Sequence, residues 1–394
     1  MLKLLGKAFL IIAFTAAVIY GWIYFTIKAD VENVEDKTEE VNQVVEEVVT
    51  DEDATEVEVV DKEEVSEKIN VLPTLVDKLT TNSAWCGTMQ LVWNDFMDVA
   101  GGTPKFLEEN VFAENLNKKT FSAEDLSEEY YYKKFGAKTL ALKKEIEKGI
   151  KDKFNETSDV LDLLDWSEGA LDPNVEGLDR FIFYAMLKRD FEYPQEFTVL
   201  DNGKFKDTNN VKYFGIDSLT NKSVDKQLDV LYYENEDNFA IEIETKNDDK
   251  IVLVRKDAFE TNFNDIYKSV KSKADSYEGS TAFEAVDEFK MPNLEIDVLR
   301  NYEELTGAKF TAPKADGIIN AAMQTIKFNI DEKGGSIKSE AVMDVTFTSA
   351  IMKPEELPKP RYFYCDDEFV MFLVEDGKDN PYFAVKVDDI TLFQ

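Results

Sequence analysis

Eighty of the 394 residues are Asp or Glu, so carboxylates are the chain's most abundant chemical groups. Asp159, Asp162 and Asp165 recur every third residue, and Asp366, Asp367 and Glu368 are consecutive. Oxygen clusters of this kind can hold calcium. In so acidic a chain they also arise by chance, and we read both as solvated surface. Paired carboxylates can divide acid and base work, as in glycoside hydrolysis. No two carboxylates here stand apart from the rest, so no such pair is assigned.

The chain contains no His. That excludes Ser-His-Asp triads, Cys-His dyads, HExxH zinc sites and imidazole acid–base catalysis. Two cysteines, Cys86 and Cys365, are too few for a four-cysteine zinc site. They could form one disulfide or remain two buried thiols. There is no P-loop, no GxGxxG after a strand and no GxSxG. No catalytic set, metal or cofactor is therefore expected, and an enzyme is not our reading. A net charge of −35 also excludes nucleic acid binding, which needs clustered Lys and Arg.

The supporting elements come next. Ala8 to Ile27 is an uncharged apolar run long enough to span a bilayer. Lys3 and Lys7 precede it, and an acidic stretch follows Lys28, which orients the rest of the chain outside the cytoplasm. We expect a transmembrane signal anchor over residues 1–28. The alternative is a cleaved signal peptide, cut near Ala16 and Ala17, which would release the chain as a secreted protein. Residues 29–69 are acidic, lack aromatics, and are expected to form a disordered spacer. Residues 70–394 are expected to fold.

Asn82 and Ser83 resemble a helix N-cap. Behind them Trp85, Met89, Val92, Trp93 and Phe96 form one apolar helical face ended by Gly101-Gly102, so WCGTMQLVWNDF reads as core rather than a ligand box. A second helix is expected over roughly Ala137 to Phe154, a third over Asn264 to Lys273, and a short one at NYEELTG. FIFYAML, VKYF, LDVLYY, FAIEIET, KIVLVRK, LEIDV, TIKFNI, EFVMFLVED and YFAVKV read as strands. Helices first and strands later predict an α+β fold with a large, mainly antiparallel sheet system.

One stretch is unusual. In DEKGGSIKSEAVMDVTFTSAIM, Asp331 to Met352, a glycine pair precedes an alternation. Ile337, Ser339, Ala341, Met343, Val345 and Phe347 are small or apolar. The residues between them are polar, Val342 excepted. Period two predicts a half-buried strand.

The flanks carry a resemblance. FKMPNLEIDVLRNYEELTGAKFTAPKADGIINAAMQTIKFNIDEKGG resembles the serpin segment leading to the hinge of the reactive loop. EFVMFLVEDGKDNPYFAVKV is similar to the serpin C-terminus, with Glu368 where that family has Pro. FIFYAMLKRDFEYPQEF is similar to an upstream serpin strand and turn, and NSAWCGTMQLVWNDF falls where serpins start their buried second helix. The resemblance spans about residues 70 to 394.

It implies a serpin-like fold and a reactive loop from Glu332 to about Arg361. A protease, serine or cysteine type, would cleave that loop, and the freed part would insert into a sheet as an extra strand. No catalytic residue is needed; the metastable fold does the work. The hinge would be Glu332, Lys333, Gly334 and Gly335. The reactive loop would include Ser336, Ile337, Ser339, Ala341, Met343, Val345, Phe347, Thr348 and Ser349. Counting from the hinge puts the scissile bond at Thr348–Ser349, with Met352–Lys353 and Arg361–Tyr362 as alternatives. A monomer is expected.

Departures from the family's pattern point to a second reading, a non-inhibitory binding module tethered at the cell surface. Ile337 stands where inhibitors carry a small residue, and overpacking costs about 1–3 kcal/mol. Lys338 and Glu340 are charged. The family's sheet-opening Asn, Trp, Ser and His align with Tyr184, about Phe191, Cys86 and Gln324. Gln324 can still supply a hydrogen bond.

Overall fold

The computed structural model describes residues 68–166, 180–217, 224–335 and 359–394. The expected anchor over residues 1–28, nearly all of the expected spacer, and the alternating segment from Ser336 to Ser349 lie outside the described residues. Among the described residues no helix is long and apolar enough to cross a membrane.

The described chain starts with strands β1 (Asn70–Leu72) and β2 (Ser83–Cys86), then helix α1 (Thr88–Ala100), β3 (Lys105–Phe106) and α2 (Val111–Leu116). Next come β4 (Tyr131–Ala137), α3 (Leu140–Phe154), β5 (Phe181–Leu187) and β6 (Phe191–Glu192). A run of strands follows: β7 (Thr198–Phe205), β8 (Thr208–Ile216), β9 (Leu228–Asn235), β10 (Asn238–Glu244) and β11 (Asp249–Arg255). After α4 (Phe263–Asp275) come β12 (Glu288–Pro292), β13 (Leu294–Asn301), β14 (Lys309–Thr311), β15 (Asp316–Ile318) and β16 (Met323–Ile330). Last are β17 (Gly334–Gly335), β18 (Tyr362–Tyr364), β19 (Phe369–Glu375) and β20 (Phe383–Val387).

The class is α+β, as the order of elements predicts. The largest sheet has seven strands in the order β1-β2-β20-β19-β11-β10-β9. Its centre is covered on both faces: every residue of β19 and β20 is buried, the charged Glu375 and Lys386 included. A four-stranded sheet, β18-β12-β8-β7, shares that core. Both sheets are antiparallel except where β1 meets β2 and β12 meets β18.

The shorter pairings matter more for function. β4 pairs with β5, β13 with β16, and β17 with β6, all antiparallel. Alternation fixes what β5 touches. Phe183 points to α1, where its ring meets Phe96 edge-on at 5.8 Å between centroids. Its neighbour Tyr184 points the other way, into a cluster with Leu142, Ile146 and Ile150 of α3. The β4–β5 pair is thus held between α1 and α3, as the period-two geometry of a strand requires.

Three expectations about local structure need correction. Asn82 does not cap a helix. Its side-chain oxygen accepts from the Asp388 and Asp389 amides, and Ser83 to Cys86 form β2, so Trp85 belongs to a strand. The helix starts at Thr88, behind Gly87. The second helix starts at Leu140, where Thr139 supplies the cap to the Leu142 amide, because residues up to Ala137 are taken by β4. NYEELTG is a turn closed by the Leu305 and Thr306 amides on the Tyr302 carbonyl, not a helix.

Candidate functional site

The candidate site is the segment expected to be a hinge, Glu332 to Gly335, with β5 and β16. β16 ends at Ile330, and Asp331 to Gly334 make a tight turn. The Asp331 amide donates to the Gly334 carbonyl at 2.9 Å and the Gly334 amide returns to the Asp331 carbonyl at 3.3 Å. The Asp331 side chain accepts from the Lys333 amide at 2.8 Å, the usual way Asp closes a turn. Gly334 sits at φ +138°, a region L side chains rarely adopt.

The turn delivers the glycine pair to β6. Gly334 lies opposite Glu192 and Gly335 opposite Phe191. The approach is close: a Cβ on Gly334 would overlap the Phe191 carbonyl and stand 2.8 Å from Glu192 Cα. One on Gly335 would stand 2.5 Å from the Phe191 ring and 3.0 Å from the Asn329 carbonyl. The rest of the hinge is held by the chain after β6. The Tyr193 amide donates to the Lys333 carbonyl at 3.0 Å and the Phe197 amide to the Glu332 carbonyl at 2.8 Å. Tyr193 OH is buried with no partner among the described residues, a position that costs about 1–3 kcal/mol.

Two strands lead to the β6–β17 pair, β5 into β6 and β16 into β17. Among the described residues β5 pairs only with β4, and β16 only with β13. Both lie over α1: Phe183 of β5 meets Phe96, and Gln324 of β16 donates to Thr88 Oγ1 at 2.7 Å and to the Cys86 carbonyl at 2.9 Å. The β6–β17 pair joins them at one end. On the outer side Lys327 of β16 meets Asp159, in the segment after α3, at 2.9 Å. Each of the two strands therefore has one edge whose backbone groups enter no ladder with the other.

Gln324 keeps the role expected of it. It is buried, and its Oε1 accepts from Tyr302 OH at 2.6 Å, so both ends of the amide are satisfied. Cys86 and Cys365 are free thiols; burial pushes the Cys86 thiol up and the Cys365 thiol far up. Tyr184, aligned with the family's Asn, faces α3, and burial pushes its phenol up to about 12 despite a Ser158 hydrogen bond. Phe191 stands in the hinge contact itself.

Ser336, Ile337, Ser339, Ala341, Met343, Val345, Phe347, Thr348 and Ser349 lie outside the described residues. The segment's far end is described, and it is anchored. Arg361 meets the buried Asp287 through Nη2 at 2.6 Å and Nε at 3.1 Å, and donates to the Ser280 and Ala282 carbonyls. The carbonyl of the Arg361–Tyr362 bond accepts from the Glu288 amide at 3.0 Å.

The acidic clusters do not converge. Asp159 pairs with Lys327, Asp162 with Lys143, Asp366 with Arg255, Asp367 with Lys206 and Glu368 with Lys386. No group of three metal-ligating side chains is present among the described residues.

Sequence reasoning missed a buried charge cluster next to β6. Arg189, in the β5–β6 connector, binds Asp249 and Glu375. Its only trace in the sequence is an Arg just after an apolar strand, in a chain where charges are everywhere.

No protein-family model matches the chain, and no curated protein sequence matches it. Solved structures do. Serpin48, a highly specific serpin of the insect Tenebrio molitor, is similar over 78% of this chain and 92% of its own, at 13% identity and a TM-score of 0.46. Tengpin, a thermophilic serpin in its native state, is similar over 86% of this chain and 96% of its own, at 14% identity and a TM-score of 0.45. Human thyroxine-binding globulin complexed with thyroxine is similar over 64% of each chain, at 14% identity and a TM-score of 0.37.

Proposed function

We propose that the chain is a serpin-like protease inhibitor that acts outside the cytoplasm, tethered by its N-terminal apolar run. A protease cuts the segment after Gly335, and that segment enters between β5 and β16. One observation carries the reading: the hinge glycines pair with β6, directly after β5 in the chain, and among the described residues β5 and β16 each pair on one side only, with β4 and β13. The next residues in the chain are the alternating ones, which have the period an inserted strand needs. Insertion would supply each edge with hydrogen-bond partners.

The far anchor fits the same scheme. Arg361 fixes the segment to β12 and the turn before it, so the half after the cut stays attached while the half before it moves. The buried, unpartnered Tyr193 OH beside the hinge is a cost that rearrangement could relieve.

The test is incubation of residues 70–394 with a panel of serine and cysteine proteases. The expected result is an SDS-resistant complex with the protease together with a fragment released by cleavage between Gly335 and Arg361. Cleavage at that position with no complex, across the whole panel, contradicts inhibition.

That second outcome is what a non-inhibitory binding module on the same fold would give. Its supporting observation is the depth of hinge anchoring: the Glu332 and Lys333 carbonyls and both glycines are already bonded, and the bulky Ile337 follows. Slow release leaves time for a protease to finish cleavage.

A further inference from the structure

We infer that Arg189 is the residue that positions the hinge: it bolts the β5–β6 connector to the end of the large sheet, so that β6 presents a fixed edge to Gly334 and Gly335. This deepens the function proposed above and rests on the hinge being the part that moves.

Arg189 sits three residues before Glu192, and its side chain is 2% exposed. Nε donates to Asp249 Oδ2 at 2.5 Å, Nη1 to Glu375 Oε2 at 3.0 Å and Nη2 to the Asn247 carbonyl at 2.9 Å. The guanidinium lies over the Tyr130 ring at 3.5 Å. One planar fork thus ties the connector to β11, to β19, to the turn before β11 and to the segment before β4.

The two carboxylates need that cation. Asp249 and Glu375 are direct cross-strand partners, and like charges so placed repel. Each is held by a further donor: Tyr382 OH meets Asp249 Oδ1 at 3.0 Å, and the Ser127 amide meets Glu375 Oε2 at 2.8 Å. Buried ion clusters add little net stability compared with apolar residues of the same shape, whereas they fix geometry. The geometry fixed here is that of β6.

β6 has little freedom left. Its outer edge is held by the Lys246 amide on the Glu192 carbonyl at 2.8 Å, and Lys246 Nζ meets Glu192 Oε2 at 2.8 Å. Its inner edge carries the glycine pair. A displacement of Arg189 reaches that edge within two residues, about 7 Å of extended chain. Close approach at Gly334 leaves no room to absorb it.

Amide hydrogen exchange tests the assignment with no protease present. The wild-type domain, Arg189→Met and Arg189→Lys are compared at single-residue resolution. In Arg189→Met, exchange at Tyr193 and Phe197, whose amides hold the hinge carbonyls, is expected to rise by about tenfold or more. Leu253 and Met371, central in β11 and β19, should accelerate at least about tenfold less than those two amides. Arg189→Lys, which keeps the charge without the fork, should fall between. Unchanged exchange at Tyr193 and Phe197 overturns the proposal. So does equal acceleration at all four amides, which would mean a general loss of structure. If Arg189→Met does not fold, Asp249→Asn removes one arm of the fork and carries the same expectation at the same amides. A domain that forms no protease complex can still give the expected result, so the two proposals fail separately.

Discussion

Gly334 stands so close to β6 that a single added methyl group would overlap the Phe191 carbonyl oxygen and come within 2.8 Å of Glu192 Cα. The contact is backbone against backbone, which cannot yield as a flexible side chain can. It makes Gly334 a position set by space as well as by its φ of +138°.

Gly334→Ala should therefore undock the hinge. We expect a loss of about 1–3 kcal/mol in urea unfolding, from strain at φ and from the broken β6–β17 pair. Cleavage of the segment after Gly335 should also become faster. A variant as stable as wild type, with unchanged cleavage, would show that the hinge is held elsewhere.

The Gln324 network predicts a different effect. Tyr302→Phe removes one hydrogen bond and leaves the buried Gln324 Oε1 without its donor, which should cost about 1–3 kcal/mol. Gln324→Leu removes both ends and orphans Tyr302 OH and Thr88 Oγ1, so it should cost more. Equal losses in the two variants, measured by urea unfolding, would argue that Gln324 Nε2 contributes nothing.

These residues show what the sequence carried. The strands were legible because their signals are local: TIKFNI shows period two, and FIFYAML an unbroken apolar run, without help from the rest of the chain. Ser83 to Cys86 was not legible, since Asn82-Ser83 looks like a cap until Asp388 and Asp389 claim the Asn82 side chain. The glycine pair was legible as a break before the alternation. Its partner was not, because Phe191 and Gly335 are far apart in sequence and nothing local records that they pair. The Arg189 cluster was hidden for another reason. With 80 acidic residues in the chain, Asp249 and Glu375 do not stand out until β11 and β19 align them.

Asp249 gives the fold a pH dependence. Burial pushes its carboxyl up from 3.8 to about 6, more than the Arg189 and Tyr382 hydrogen bonds pull it down. An acid with a folded pKa above its unfolded one binds its proton more tightly when folded. Its contribution is full below 3.8 and is lost as pH rises through about 6. Glu375 runs the other way. Burial raises it, but the Ser127 hydrogen bonds and Arg189 outweigh that and hold it below its usual range, so its contribution is lost on acidification. Asp249→Asn removes the first dependence and keeps the second. The stability difference between wild type and this variant should change between pH 4 and pH 7, moving against wild type as pH rises. A difference constant across that range would contradict it.

Arg361 is spent on structure. Asp287 beneath it is fully buried, and removing one partner of a buried pair costs about 3–5 kcal/mol. Asp287→Ala should lose stability in that range by urea unfolding. Trypsin should leave the Arg361–Tyr362 bond of the wild-type domain intact under native conditions and cut it in the variant. Rapid native cleavage at Arg361, mapped by mass spectrometry, would return that bond to the candidates for the scissile one.

The central claim is that the segment after Gly335 can enter between β5 and β16, and thermal unfolding before and after cleavage of that segment tests it most directly. The account predicts that the cleaved domain melts roughly 10 °C or more above the intact one, because an inserted strand would gain ladder partners in β5 and β16. An unchanged or lower melting temperature after complete cleavage would contradict it.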